Sequence, residues 1–251
     1  MRAGKLVAPL LAPALAGCSG VQSALDPAGR EAAELLDLFW VMLAGAVIIW
    51  LALNGTFFLL SSVKRGPMSR RWAEALIIGG GVAFPTVGLG ALLVWALPYL
   101  TELRPVSGQA AVRVTGEMWW WRVDYLTPEG EIASANELRL PAGRRTEISL
   151  GADQVIHSFW IPSLSGKMDM FPGRETRISL EPFRTGTFRG QCAELCGTGH
   201  ALMAFPAVVM EPAEFEAWLA NEAAPARPPA DERARRGMDV FLSQGCGACH
   251  A

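Results

Sequence analysis

Two long apolar segments near the start of the chain predict a pair of transmembrane helices. Leu38–Leu60 contains 23 residues and no charge, which is enough to cross a bilayer at about 1.5 Å per residue. Trp72–Leu100 is also apolar and contains a Gly-Gly-Gly triplet and Pro85, which membrane helices tolerate when they pack on a neighbour. We therefore expect a helical hairpin over residues 31–103, with helices at about 35–62 and 72–100.

Charged residues around these segments predict the orientation of the hairpin. The stretch between them, SVKRGPMSRR, contains four basic residues, whereas acidic residues precede the first helix. Basic loops stay on the cytoplasmic side of a membrane. We therefore expect the loop inside the cell and both ends of the hairpin outside.

From about Ala110 the pattern changes to short alternating segments separated by turn residues. This pattern is typical of a β-sandwich or β-barrel, and we place the domain at residues 108–220. The predicted strands are Val112–Val114, Met118–Tyr125, Glu137–Leu140, Thr146–Leu150, Val155–Ile161 and Thr176–Leu180.

The first 17 residues have the features of a secretory signal. Arg2 and Lys5 precede an apolar run that is too short to span a bilayer. The run ends in Leu-Ala-Gly-Cys, which resembles a bacterial lipobox and implies a lipoprotein-type signal at 1–17 with acylated Cys18 at the mature N-terminus. An ordinary signal peptide with an incidental Cys18 is the alternative.

The C-terminal part of the chain contains a second sequence signature. An Ala/Pro/charge-rich stretch at 221–231 predicts a linker, and residues 232–244 have helical character. The Cys-x-x-Cys-His motif of Cys246, Cys249 and His250 is typical of c-type haem attachment; a redox dithiol is the alternative. Because the chain stops at Ala251, we expect residues 232–251 to be only the N-terminal fragment of a cytochrome c domain, with an incomplete haem site.

Composition agrees with a membrane protein. The hydrophobic share is 51% and the mean hydropathy is +0.26. The net charge of −2 comes without a basic patch rich in aromatic residues, so no nucleic-acid partner is expected. Residues 101–220 hold 11 basic and 15 acidic side chains, and this mildly acidic balance suits a basic partner.

The stretch QCAELCGTGHALM at 191–203 predicts a metal centre. It offers two thiols, an imidazole and a thioether, a soft donor set that suits copper. Two thiolates that each bridge two ions, with one imidazole per ion, would form a dinuclear copper centre. The second imidazole would come from His157, and the Glu194 carbonyl could complete the set. A disulfide between Cys192 and Cys196 is the alternative.

The pattern Cys-x-Glu-x-Cys-x3-His-x2-Met, preceded by VIHSFW and by Lys167–Arg174, resembles subunit II of the haem-copper cytochrome c oxidases. The resemblance extends from the first membrane helix to about Leu219 and implies a cupredoxin-like Greek-key barrel with a dinuclear CuA centre. It implies the copper ligands Cys192, Cys196, His157, His200, Met203 and the Glu194 carbonyl. In this family the Glu194 carboxylate also reaches a magnesium site at the contact with subunit I.

The resemblance also implies a function. The chain would accept electrons from cytochrome c and pass them to haem in subunit I, where oxygen is reduced to water and protons are pumped. Within Trp119-Trp120-Trp121, Trp119 would lie over the copper centre as the point of electron entry, where its exposed indole shortens the gap from a docked haem. Strand alternation would place Trp119 and Trp121 on one face. The expected partners are subunits I and III, cytochrome c and membrane lipid, with the copper domain on the periplasmic side of a bacterial cytoplasmic membrane.

Two other functions use the same features. A nitric oxide or nitrous oxide reductase can carry the same copper centre, although the hairpin, lipobox and fused haem motif disfavour the nitrous oxide enzyme. A membrane-anchored copper-delivery protein would need an exchangeable site with fewer ligands. A quinol oxidase subunit II is disfavoured because that branch lacks the copper cysteines and histidines present here.

Overall fold

A computed structural model describes residues 18–62, 66, 68–102, 110–225 and 227–248, with only the backbone described at 100–102 and 248. The predicted signal segment 1–17 and the haem residues Cys249 and His250 lie outside the described residues. The chain divides into two compact units, one that ends at Phe215 and one that starts at Glu216.

Two helical segments in the first unit are long and apolar enough to cross a membrane. Helix α1 spans Arg30–Ser62, and it begins about five residues before the predicted helix. The second segment consists of α2 (Arg70–Ala75), a π-helical stretch (Leu76–Ala83) and α3 (Phe84–Glu102). Pro85 has no N–H for an α-helical bond to the preceding turn, and the π-helical stretch ends two residues before it, at Ala83. The prediction of two apolar helices is confirmed.

The part of the chain after the helices forms two five-stranded sheets. One sheet has the order β3-β2-β1-β5-β8 and the other has the order β4-β10-β9-β6-β7. The strands are β1 (Val112–Gly116), β2 (Trp121–Thr127), β3 (Gly130–Ala135), β4 (Leu138–Pro141), β5 (Thr146–Ala152), β6 (His157–Trp160), β7 (Met168–Met170), β8 (Thr176–Leu180), β9 (Gly186–Cys192) and β10 (Ala204–Met210).

The two sheets pack through alternating apolar side chains. In β1, Val112 and Val114 are buried while Arg113 between them is partly exposed, as expected for a strand with one core face. Strands β1 and β5 pair in parallel, as do β4 and β10. These long-range pairings produce a cupredoxin-like sandwich, and the predicted all-β class of this domain is confirmed.

The segment that precedes the first helix packs on the β-domain. We call residues 18–29 the N-terminal strap. The N–H groups of Ala28 and Gly29 donate to the Ser163 carbonyl at 2.6 and 3.1 Å, and Arg189 N–H on β9 donates to the Val21 carbonyl at 2.9 Å. Gly29 is required at its position, because a Cβ atom there would lie 2.4 Å from the Leu164 carbonyl oxygen. The first membrane helix therefore starts from a segment that is hydrogen-bonded to the β-domain.

Helix α4 (Pro212–Glu222) follows the last strand and spans the boundary between the units. In the second unit, α5 spans Glu232–Ser243, which is close to the predicted helical segment. The carboxylate of Asp231 accepts a hydrogen bond from Ala234 N–H at 2.8 Å, a common way to satisfy a free donor at a helix start. The assignment of this helix to a cytochrome c domain stays a prediction.

Candidate metal centre

The predicted ligand loop connects two adjacent antiparallel strands. Cys192 is the last residue of β9, and Met203 directly precedes β10. The backbone N–H of Cys192 donates to the Met203 carbonyl at 3.0 Å. The two ends of the loop are therefore held together by the same hydrogen-bond ladder that joins the strands.

The two thiols of the loop face each other. The Sγ atoms of Cys192 and Cys196 lie 3.8 Å apart, whereas a disulfide needs about 2.05 Å. Both residues are buried, with 5% and 3% of their surface exposed. Burial and the neighbouring Cys192 raise the pKa of the Cys196 thiol to about 11, because a low-dielectric environment disfavours the thiolate. A cation between the sulfurs would offset this cost.

An imidazole lies beside each thiol. His157, the first residue of β6, places Nδ1 3.8 Å from Cys192 Sγ. His200 begins a 3₁₀ turn and places Nδ1 3.6 Å from Cys196 Sγ. His157 is fully buried, and burial lowers the pKa of its imidazole. A neutral imidazole is the form that binds a metal ion.

Two weaker donors complete the group. Met203 Sδ lies 3.9 Å from Cys196 Sγ, and the Glu194 carbonyl oxygen lies 3.1 Å from Cys192 Sγ. The Met203 side chain is buried, with 1% of its surface exposed. The structure thus brings together all six residues that the sequence proposed as copper ligands.

The donor atoms fit a soft metal. Ligand atoms of His157, Cys192 and Cys196 lie within 4.8 Å of one another. Metal–thiolate bonds of about 2.3 Å can span sulfur separations up to about 4.6 Å, so the observed 3.8 Å lets both sulfurs reach the same ion. Thiolate, imidazole and thioether donors together suit copper. The ligand role of each residue remains a prediction.

Trp119 covers the outer side of the ligand loop. Its Nε1–H donates to the Cys196 carbonyl at 2.9 Å, and its ring lies against Gly197 and Gly199. About 37% of the residue stays exposed. One edge of the indole therefore faces solvent while the other contacts the backbone of a thiol-bearing residue.

The predicted alternation of the three tryptophans is wrong. Strand β2 begins only at Trp121, and Glu117 and Trp120 exchange hydrogen bonds of 2.9 and 3.3 Å that form a turn. Trp119 therefore lies in a turn rather than a strand, so period-2 alternation does not apply. Trp121 is fully buried in the core.

Two further residues at the centre were missed by sequence reasoning. Gly116 ends β1 under the His157 ring, and a Cβ atom there would lie 2.8 Å from ring carbons. The Nε1–H of Trp121 donates to the Met203 carbonyl at 3.3 Å. The glycine at a strand end was the only sequence signal for a close approach.

The predicted magnesium ligand Glu194 is exposed. Nearby, Lys167 Nζ pairs with Asp169 at 2.9 Å, and Ser158 Oγ donates to the same carboxylate at 2.8 Å. These hydrogen bonds lower the pKa of Asp169. The hydrogen bond to Asp169 also raises the pKa of Lys167, and the negative charge of Glu194 raises it further. The magnesium role of Glu194 stays a prediction.

The remaining described cysteines do not join this group. Cys18 is exposed, and its carbonyl accepts a hydrogen bond from Ser23 Oγ at 3.1 Å. Cys246 is exposed in the second unit and begins a 3₁₀ turn, Cys246–Ala248. Acylation of Cys18 and haem attachment at Cys246 therefore stay predictions.

Exposed apolar side chains adjoin the ligand residues or Trp119 in sequence, and we call them the apolar rim. Single exposed apolar residues are common on protein surfaces, but a cluster beside a polar site indicates a contact surface. The rim consists of Met118 (39% exposed), Trp119 (37%), Ile156 (43%), Leu195 (78%) and Leu202 (84%).

Comparison with known proteins identifies related chains. Residues 110–211 match the family described as "Cytochrome C oxidase subunit II, periplasmic domain". Cytochrome c oxidase subunit 2 of Alkalihalophilus pseudofirmus is 32% identical over 94% of this chain and 73% of its own length. The corresponding subunit of Bacillus subtilis is 29% identical over 97% of this chain and 74% of its own length. The crystallised periplasmic domain of subunit II (CoxB) of Bradyrhizobium japonicum gives a TM-score of 0.44 and 28% identity, over 47% of this chain and 95% of that one.

Proposed function

The chain belongs to the cytochrome c oxidase subunit II family, and from this premise we propose that it receives electrons from cytochrome c at a dinuclear copper centre. The observation that carries the proposal is the convergence of two thiols and two imidazoles at the ligand loop. These residues connect β6, β9 and the start of β10 in one sheet. A copper-delivery protein would need fewer and more mobile ligands.

The residues that would hold the copper pair are Cys192, Cys196, His157, His200, Met203 and, through its carbonyl, Glu194. When bound, the copper pair supplies a centre that takes up and releases one electron.

The protein holds these ligands in place and excludes water. His157, Cys192 and Met203 lie on or beside strands whose hydrogen bonds fix their backbones. All three are buried. A rigid and dry set of ligands changes little in geometry when the charge at the centre changes, and this favours fast electron transfer.

We assign electron entry to the surface formed by Trp119 and the apolar rim. The exposed edge of the Trp119 indole would contact the donor, and its hydrogen bond leads to the Cys196 backbone. The donor would be cytochrome c, which the mildly acidic domain would attract if the donor surface is basic.

Electrons would leave toward haem in subunit I, where oxygen is reduced to water and protons are pumped. Subunits I and III would be the partners in the membrane, and Glu194 would contribute to a magnesium site at the contact with subunit I. The two apolar helices support membrane anchoring. We place the β-domain on the periplasmic side of a bacterial cytoplasmic membrane, with Cys18 acylated and a haem c at Cys246, Cys249 and His250.

Electron paramagnetic resonance of the copper-loaded full-length protein in detergent tests the central claim. We expect two copper ions per chain and a hyperfine pattern from one electron shared by two copper nuclei. Cys192→Ser and Cys196→Ser should each lose this pattern. Cys246→Ser is the matched control, because it removes a thiol outside the centre and should keep the pattern. A single-copper pattern in the unmodified chain would contradict the proposal.

A further inference from the structure

Trp121 is the largest fully buried side chain in the described part of the chain, and the function proposed above gives it no role. Its indole contacts the centre from the core side. The ring centroids of Trp121 and His157 lie 6.3 Å apart at an interplanar angle of 57°. On another edge, its Nε1–H donates to the Met203 carbonyl at 3.3 Å. One side chain thus contacts an imidazole ligand and the backbone of the thioether ligand.

The Met203 carbonyl is shared by two donors. Cys192 N–H reaches it at 3.0 Å and Trp121 Nε1–H at 3.3 Å. Cys192 and Met203 are the first and last ligands of the loop. A carbonyl oxygen has two lone pairs, so it can accept both bonds. Together these donors restrain the peptide group that orients the Met203 side chain and closes the loop.

The indole itself is held firmly. Trp121 backbone N–H donates to the side-chain oxygen of Asn136 at 2.9 Å. Phe159 packs edge-on against the ring at a centroid distance of 5.9 Å, and Phe205 packs at 5.1 Å. A side chain so enclosed cannot rotate without disturbing the core. Its hydrogen bond to Met203 therefore has a fixed direction.

We infer that Trp121 is a positioning residue for the metal centre. Its indole N–H fixes the backbone of Met203, and its ring fixes the plane of the His157 imidazole. The inference rests on the proposed dinuclear copper site and adds to it a group outside the ligand set. Groups that orient metal ligands typically contribute about 10- to 100-fold to metal affinity.

Copper retention and the spectrum of the copper-loaded full-length protein test the inference. In Trp121→Phe the aromatic ring stays and the N–H donor is lost. We expect copper loss to an excess of chelator to become about tenfold faster, with an altered hyperfine pattern. Trp120→Phe is the matched control, because it makes the same chemical change one residue away, and it should behave like the unmodified protein. Equal loss rates and equal spectra in the two variants would overturn the inference.

A second comparison separates positioning from a general loss of stability. Ile148→Ala opens a cavity in the core at the sheet that carries Trp121 but none of the proposed ligands. It should leave the hyperfine pattern unchanged, whereas Trp121→Phe should change it. If both variants change the pattern alike, the inference is overturned. Should Trp121→Phe not fold, benzothienylalanine at position 121 keeps the ring shape, replaces N–H by sulfur, and should give the same faster loss. An unmodified protein without the two-copper pattern would refute the proposed function itself, while a normal pattern that Trp121→Phe shares would refute only the role of Trp121.

Discussion

Gly199 lies directly beneath the indole of Trp119, and a methyl group at position 199 would come within 2.5 Å of two ring carbons. The backbone of Gly199 has φ −89°, which any residue can adopt. The glycine is therefore required by the ring above it and not by the turn.

Gly199→Ala should displace the Trp119 ring and slow electron delivery from cytochrome c. A displaced aromatic residue at the centre of a contact surface weakens binding by about 2 kcal/mol, or about 30-fold. The second-order rate of reduction of the copper centre by cytochrome c, measured by stopped flow, checks this. Gly151→Ala is the control, because no atom lies within 4 Å of a Cβ added there. Unchanged kinetics in Gly199→Ala would remove Trp119 from the electron path.

Gly116→Ala should disturb the centre from strand β1, where Gly116 lies against the His157 ring. The added methyl group would lie 2.8 Å from the His157 ring, so the imidazole must shift from its position beside Cys192. Overpacking of this kind costs about 1–3 kcal/mol. Thermal unfolding of the metal-free protein should show the destabilisation, and copper titration should show weaker binding. The same Gly151→Ala control applies, and copper affinity equal to that of the control would contradict the assignment of His157.

Copper affinity should rise with pH. The Cys196 thiol must lose its proton to bind a metal ion, and its pKa is raised to about 11. Below that value each pH unit should therefore increase affinity by at least about tenfold. The pKa of His157 is lowered, so its protonation does not compete near neutral pH. Competition with a chelator of known affinity between about pH 6.5 and about pH 8.5, a range below the thiol pKa, measures the slope. An affinity independent of pH would exclude thiolate binding.

The raised pKa of the Cys196 thiol should make the metal-free protein less stable as the pH rises. A folded-state pKa above the ordinary thiol value of 9.0 means that the folded state retains the proton longer than the unfolded state. The stability associated with this proton is present below about pH 9 and is lost as the pH rises toward 11. Cys196→Ser should remove this part of the pH dependence in urea unfolding experiments.

Gly29→Ala should loosen the N-terminal strap. The added methyl group would lie 2.4 Å from the Leu164 carbonyl oxygen, so the segment must move away from the β-domain. We expect a local destabilisation of about 1–3 kcal/mol. Faster hydrogen exchange at the amides of Ala28 and Arg30, which bond to Ser163 and Glu181, would report it. Gly45→Ala in the first helix is the control, because no atom lies within 4 Å of a Cβ added there. Gly20→Ala is unsuitable, because Gly20 has φ +133°.

The helices and the metal loop could be predicted because their signals are local. The charge-free run Leu38–Leu60 is sufficient to indicate a membrane helix, and the ligand types of Cys192–Met203 indicate soft-metal chemistry before any fold is known. The family prediction is confirmed by the relative in Alkalihalophilus pseudofirmus. The proximity of His157 to Cys192 depends on pairing between β6 and β9, which local sequence does not determine.

Several strands could not be predicted for physical reasons. Strand β10 contains Pro206, which normally argues against a paired strand. Strand β7 has only three residues, too few for a periodic pattern. The turn at Met118–Trp120 has the aromatic composition of a strand, and only the hydrogen bonds between Glu117 and Trp120 define it. The contact of Trp121 with Met203 joins residues 82 positions apart, and no local pattern reports it.

The hydrogen bond from Arg189 to Val21 has a practical meaning for fragment design. Strand β9 pairs with β6 only near its end, at Gln191 and Cys192, and the strap supplies a backbone acceptor further along the same edge. A truncated, water-soluble version that starts at the first strand would leave this donor and the Ser163 carbonyl facing solvent. Unpaired strand edges of this kind promote self-association, so a version intended for crystallisation or spectroscopy should carry the strap, fused through a short linker in place of the membrane hairpin.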